Sequence, residues 1–298
     1  MKSTLKVLFF RLFSRLPFFW ARWIGGQLGK LAYVLKTREY RTTLKNLEVC
    51  YPEMAESERV DFAKRSLQET GKTALEIPVI WRLRERAGYL VKQVENEALF
   101  TSAINNPDGL IVVAPHHCNW ELVGVYLSSI TEVVYLYQPH EDPEVDNFVK
   151  RGRCYPQSSL APTSKRGVLQ IIKTLKAGGT TGILPDQIPE ESSGGEFSTF
   201  FGQPAFTMTL VHSLIQRSGC QVIVCSTKRV EEGFEVIFQK PDDDIYSEDV
   251  NKSLVAMNKT VEACIENSPA EYSWEYKRFR VRSGNQKAKA QGVEGVKY

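Results

Sequence analysis

Short apolar runs alternate with helix-like stretches through the middle of this chain. Leu110–Ala114, Val133–Tyr137, Thr181–Leu184, Val222–Ser226 and Phe234–Phe238 read as strands. Between them, Trp120–Ser129, Arg166–Lys176 and Pro204–Gln216 read as helices. This alternation predicts an α/β fold, a central mixed sheet flanked by helices. Helical periodicity also fills residues 41 to 90, with Leu47, Val60, Phe62, Ala63, Leu67, Leu75 and Ile77 as core candidates. A long helix is expected at Ser247–Glu266, and no internal repeat is visible.

The N-terminal segment follows a different pattern. Val7–Trp20 is strongly apolar, but Arg11 and Arg15 break it, so no run reaches the roughly 18 residues of a simple spanning helix. Arg11, Arg15 and Arg22 share one helical stripe, with Phe, Leu and Trp around the rest. That pattern suits a helix lying in a membrane interface with its arginines snorkelling to headgroups; a tilted span is the other reading. Pro17 is expected to kink or split it. A clean apolar h-region and a small-residue cleavage site are both missing, so it does not read as a signal peptide. The expected organisation is N-terminal membrane-attachment helices over 1–40, a catalytic domain over 41–282 and a polar, disordered tail over 283–298.

Charge sharpens this picture. The net charge of +3 is too small to suggest nucleic acid, but ten Lys and Arg crowd positions 2–45 against Glu39 alone. Basic charge beside apolar sequence points to an anionic membrane surface. The six cysteines form no Cys-x-x-Cys pair and show no zinc spacing, so they read as reduced thiols in a cytosolic compartment.

The candidate chemistry lies in Ala114-Pro-His-His-Cys-Asn-Trp-Glu121, where a strand runs through a loop into a helix. Residues five apart on one helix point about 140° away from each other. If Asn119 caps the helix, His116 lies outside it and can fold back towards Glu121 in the first turn, where a carboxylate suits the helix dipole. One ring nitrogen would then donate to Glu121 and the other face a substrate, as a general base requires. The same spacing also fits a histidine that merely caps a sheet edge and a glutamate that stabilises a helix end.

The segment resembles the His-x4-Asp/Glu motif of glycerolipid and lipid A acyltransferases. More narrowly, it is similar to the His-Phe-Gly-Asn-Trp-Glu-Leu form of the bacterial lipid A late (lauroyl/myristoyl) acyltransferases. Three further segments resemble that family in the same order: Asn46-Leu-Glu-Val-Cys-Tyr-Pro-Glu53, Asp186-Gln187 followed by Phe200-Phe-Gly-Gln-Pro-Ala205, and Tyr272-Ser-Trp-Glu-Tyr-Lys-Arg-Phe279. The resemblance implies an O-acyltransferase of the inner membrane, its active site facing the cytoplasm. It would move a fatty acyl group from an acyl carrier protein thioester to a hydroxyl of a lipid A precursor, with no metal or bound cofactor.

On that resemblance His116 is the base and Glu121 its orienting acid, with Asn119 and Trp120 at the substrate. Arg151-Gly-Arg153 resembles the family's arginine motif, so Arg153 first and Arg151 second would serve the oxyanion or an acceptor phosphate. Backbone N–H groups near Asn119 are further oxyanion candidates. Asp186 and Gln187 end a strand, where Asp186 would hold Arg153 or a sugar hydroxyl, and Pro189–Gly195 would gate the site. Phe197, Phe200 and Phe201 would line an acyl channel or belong to the core. Lys277, Arg278, Arg280 and Arg282 would hold lipid phosphates or an acidic carrier, or form a solvated terminus.

This chain departs from the family pattern at His117 (Phe expected), Cys118 (Gly expected) and Gln138 (Arg common), which leaves the acceptor open. Another glycolipid, an aminolipid or an aryl polyene lipid are alternatives, as is a silent membrane-binding homologue. An acyl-cysteine at Cys118 is disfavoured because neighbouring His and Cys side chains point apart. His116, His117 and Glu121 have no second cluster to complete a zinc site. No Gly-x-Ser-x-Gly elbow supports a serine lipase.

Overall fold

A computed structural model describes residues 2–190 and 192–298. Met1 and Glu191 lie outside them, as do the side chains of residues 2–6, Phe9 and Ser192, so the expected gate at Pro189–Gly195 falls partly outside the description. The strands are β1 Val91–Glu95, β2 Leu110–Val113, β3 Val133–Tyr137, β4 Ser158–Pro162, β5 Thr180–Ile183, β6 Gly195–Phe200, β7 Gln203–Met208, β8 Gln221–Val230 and β9 Gly233–Gln239. The helices are α1 Lys2–Ser14, α2 Phe18–Val34, α3 Arg38–Cys50, α4 Glu56–Leu83, α5 Glu97–Ile104, α6 Trp120–Ile130, α7 Pro143–Arg153, α8 Lys165–Lys176, α9 Leu210–Ser218, α10 Val250–Asn267 and α11 Gln286–Gln291.

Seven strands form one mixed sheet in the order β1-β9-β8-β2-β5-β3-β4. Only the β8–β9 hairpin pairs antiparallel; the other pairings are parallel. All four residues of β2 are buried, because helices cover both faces of the central strands. The carboxyl ends of β2 and β5 lie side by side, so the loop beginning at Ala114 meets the loop beginning at Leu184.

β1 and β4 had no strand signal, since both are edge strands of mixed polarity. Residues 204–208, expected as helix, pair with β6 instead. Phe201 and Gly202 both have positive φ (47° and 73°), the backbone of a tight hairpin turn, so the helix starts only at Leu210. The tail expected to be disordered forms α11, capped by Asn285, and the Tyr298 hydroxyl donates to Asn46 Oδ1 at 2.6 Å.

Pro17 separates α1 from α2. Among the described residues, no helix is long and apolar enough to cross a membrane. α2 packs tightly on α4: a Cβ at Gly29 would sit 2.1 Å from the Leu67 carbonyl oxygen, and one at Gly25 2.3 Å from that of Gly71. Its other side exposes Phe19, Trp20, Trp23, Leu28, Leu31 and Val34, and α1 exposes Leu8 and Leu12. Arg11 and Arg15 are exposed, but Arg22 turns inward and does not reach out to headgroups. It donates to Glu76 (2.7 Å) and to the carbonyls of Val230, Glu231 and Gly233, because these groups need a donor that water cannot supply.

Candidate active site

The loop from Ala114 to Asn119 is braced on every side. Ala114 N–H donates to the Ile183 carbonyl, extending the β2–β5 pairing by one residue. Cys118 N–H donates to Glu271 O (2.8 Å) and Ser273 N–H to His116 O (3.2 Å). Thr73 Oγ1 donates to the Cys118 carbonyl at 3.1 Å. His117 is buried, its ring nitrogens 3.1 and 3.0 Å from the carbonyl oxygens of Thr227 and Ser268; burial holds its pKa below the ordinary value. Cys118 has φ 52°, left-handed backbone that glycine takes without strain. Its buried thiol is pushed well up, first by burial, so it is a poor nucleophile.

Asn119 is fully buried. Its N–H donates to Thr227 Oγ1 (3.1 Å) and its side-chain amide to Glu76 (3.3 Å), so these two donors of Asn119 are engaged within the protein. Glu76 in turn receives Arg22 and Arg229, and Arg229 also holds Glu69 and Glu271. Burial raises the Glu76 pKa, but the two guanidiniums outweigh it and hold the carboxyl below its ordinary value.

The catalytic candidate sits at the front of this loop. His116 Nδ1 lies 2.8 Å from Asp186 Oδ1, and its backbone N–H donates to Asp186 Oδ2 at 2.9 Å. One carboxylate thus clamps both ring and backbone. Burial pushes the Asp186 pKa up, but the imidazole and these bonds outweigh it, leaving it below the ordinary range. With Nδ1–H donating to Asp186, Nε2 is the acceptor, and the Gln187 amide lies 3.1 Å from it.

Glu121 therefore does not play the expected part. It accepts from Trp81 Nε1 (2.8 Å) and from Arg153 through Nε (3.1 Å to each oxygen) and Nη2. Arg153 is held by Glu121, not by Asp186 as expected. The reason is register: β2 and β5 are neighbours, which brings Asp186 to His116, whereas the first turn of α6 aims Glu121 at α4 and α7. Arg151 is exposed and does not line the cavity described next. Gly152 between the arginines allows close contact, since a Cβ there would lie 2.5 Å from that of Trp81.

A cavity of about 610 Å³ opens at His116, within the roughly 300–1,000 Å³ of small-molecule sites. His116, Trp120, Glu121, Arg153 and Gln187 line it together, so the structure brings His116 and Glu121 into one site with different partners. The Trp120 ring centroid is 4.9 Å from that of His116. The remaining walls are mostly apolar, with Val112, Val123, Leu127, Tyr135, Leu160 and Ile183 among them. Leu127 lies seven residues along α6 from Trp120, about 10 Å further along the helix axis at 1.5 Å per residue.

Several expected substrate residues do not line this cavity. Phe200 is buried in a core cluster with Tyr272 and Phe279, and Phe201 packs against Tyr51 and Trp274. Phe197 stacks at a tilt on Phe206. Arg278 is buried and donates to Phe206 O (2.8 Å) and Thr207 Oγ1 (2.9 Å), so it cannot hold a lipid phosphate. Lys277 Nζ lies 5.2 Å from the Tyr298 ring centroid.

The other motif segments act as a frame. Asn46 Nδ2 donates to the carbonyls of Trp274 (2.6 Å) and Tyr276 (2.7 Å), and the 271–273 stretch in turn straps the His116 loop. The chain around Phe200–Gly202 packs on Trp274 from the other side. Trp81, Glu76 and Arg229 carry no sequence signal of their own; only their burial beside charge reveals them.

An imidazole clamped by a carboxylate and an arginine held by a glutamate, both lining one largely apolar cavity, make a site suited to transferring a hydrocarbon-bearing group. Comparison with known proteins gives that class its family. Residues 2–281 match the bacterial lipid A biosynthesis acyltransferases, and the chain belongs to that family of acyltransferases. It is 26% identical over 261 residues to the lipid A biosynthesis lauroyltransferase of Escherichia coli (strain K12), covering 87% of this chain and 85% of the relative. It is likewise 26% identical over 276 residues to the lipid A biosynthesis palmitoleoyltransferase of that strain, covering 91% and 88%. A lipid A biosynthesis acyltransferase of Haemophilus influenzae is 27% identical over 273 residues, covering 90% and 86%.

Proposed function

We propose that the protein moves a fatty acyl group from an acyl carrier protein thioester to a hydroxyl of a lipid A precursor, at the cytoplasmic face of the inner membrane. The observation that carries the chemistry is the His116–Asp186 clamp at a largely apolar cavity that Arg153 also lines. The acyl chain lies in the cavity and its carbonyl stays at the mouth. The acceptor hydroxyl displaces the Gln187 amide from His116 Nε2. Nε2 takes the hydroxyl proton as the oxygen attacks the thioester carbonyl. Asp186 stabilises the resulting imidazolium. The oxyanion takes a hydrogen bond from the Arg153 guanidinium, which Glu121 holds in position. Collapse breaks the carbon–sulfur bond, and the leaving thiolate recovers the proton from His116 Nε2.

The acceptor and donor classes rest on the family and its named relatives. Membrane contact rests on the exposed apolar faces of α1 and α2 beside Arg11 and Arg15. The six free cysteines fit a reducing, cytoplasmic setting.

The test is acyl transfer by purified protein in detergent micelles. Acyl carrier protein thioesters of several lengths are offered with a Kdo-bearing tetraacylated lipid A precursor. Transfer by the wild type and its loss in His116→Ala are expected. Undiminished transfer by His116→Ala, or an acyl adduct on Cys118, would overturn the mechanism. No transfer by folded wild type would overturn the acceptor assignment.

A further inference from the structure

Beside the large cavity lies a second, smaller one of about 160 Å³, lined by Arg280, Arg282, Glu190, Ile188, Pro189 and neighbouring residues. Ile188, Pro189 and Glu190 line both cavities, so one stretch of chain separates them. That stretch directly follows Asp186 and Gln187, the residues on His116, and is fixed by the Ile188 N–H donating to the Tyr276 hydroxyl at 2.8 Å. The small cavity therefore adjoins the mouth where the acceptor hydroxyl must arrive.

Its two guanidiniums are not otherwise engaged with acids. Neither Arg280 nor Arg282 forms an ion pair among the described residues. Arg282 reaches the Glu190 carbonyl at 3.3 Å, and its buried Nε has no hydrogen-bond partner among the described residues. A buried donor left unpaired costs free energy, which an arriving acceptor atom recovers. The exposed Glu190 carboxylate opposes an anion here, leaving one net positive charge among these three side chains. The Asn285 side-chain oxygen accepts from the N–H groups of Lys287 and Ala288, so it caps the helix there.

We propose that Arg280 and Arg282 form a subsite for a phosphate monoester on the headgroup of the acceptor lipid. Guanidiniums suit phosphate oxygens because their donors are planar and paired. A monoester carries between one and two negative charges at neutral pH, enough to engage both guanidiniums, where a carboxylate carries one. Anchoring this group would leave a neighbouring sugar hydroxyl at the mouth of the large cavity. The assignment rests on the proposed acyl transfer for its role, but binding is testable apart from it.

Binding of glucosamine 1-phosphate is followed by 31P NMR in the full chain carrying His116→Ala, which cannot turn over. The proposal expects saturable binding that weakens at least tenfold when Arg280→Gln and Arg282→Gln are added. It expects tighter binding with Glu190→Gln, and unchanged melting temperatures throughout. In turnover by the protein with His116 intact, the same arginine pair should raise KM for a phosphorylated acceptor and leave kcat and a dephosphorylated acceptor unaffected. Equal effects on both acceptors, or a rise in KM for the acyl donor alone, would overturn it. The latter would assign the pocket to the donor's phosphopantetheine phosphate. A subsite that binds phosphate in a protein without transferase activity would refute the proposed function while leaving the subsite standing.

Discussion

Asp186 and Glu121 exchange the partners expected of them, Glu121 on His116 and Asp186 on Arg153. Asp186 fixes the His116 tautomer; Glu121 fixes Arg153. The two replacements should therefore fail differently. Asp186→Asn keeps the shape but loses the carboxylate that stabilises the imidazolium, and kcat should fall at least about 10²-fold. Glu121→Gln should lower kcat by about 10²–10³ through the loosened guanidinium. Motif order picks out His116, Glu121 and Arg153 in the sequence, and all three line one cavity. Their pairing was not legible, because Asp186 lies 70 positions from His116 and reaches it only through the parallel β2–β5 register. Lys277 and Arg278 read alike with Arg280 and Arg282 in the sequence, and only burial separates the structural arginine from those facing a cavity.

At the scale of elements, the cavity is bounded by α6 on one side and by β3 and β5 on the other. Gly124 lies on the α6 wall. A Cβ there would meet Tyr155 at 3.6 Å and the Tyr135 hydroxyl at 3.8 Å, ordinary contacts with little space beyond. Gly124→Ala should stabilise the protein by about 0.4–1 kcal/mol by restricting the unfolded chain. Gly124→Val should fill the cavity and move donor preference to shorter acyl chains, read by competing thioesters of different length. An unchanged length preference in Gly124→Val would mean that the acyl chain lies elsewhere. The interior strands were readable because burial on both faces makes them continuous apolar runs. The edge strands β1 and β4 were not, since their sequences Val91–Glu95 and Ser158–Pro162 mix polar and apolar residues without period. The β6–β7 hairpin was hidden by Phe201, a bulky residue in left-handed backbone at its turn.

Across the whole molecule, one buried ion network joins the apolar N-terminal helices to the active-site loop. Arg22 on α2 holds Glu76 on α4, and Glu76 receives Arg229 and Asn119, three residues from His116. Removing one member of such a network leaves charge unpaired, so Glu76→Gln should cost on the order of 3 kcal/mol at neutral pH. Its folded pKa lies below the ordinary value of 4.5, so the carboxylate's contribution is full above that value. It is lost as pH falls through the lower folded value. Denaturant melts should therefore show the wild type and Glu76→Gln far apart at pH 7 and converging below about pH 4. The outer face of α2 has its own test. Trp20→Ser with Trp23→Ser should weaken binding to anionic vesicles at least about tenfold in sedimentation and leave the fold intact.

The most direct measurement is the single-turnover rate of acyl transfer by Asp186→Asn, with the acyl carrier protein thioester pre-bound and the lipid A precursor added. A rate at least about 10²-fold below wild type, with thioester binding unchanged, is the predicted result. A wild-type rate would contradict the account, since His116 would then act without the carboxylate that clamps it.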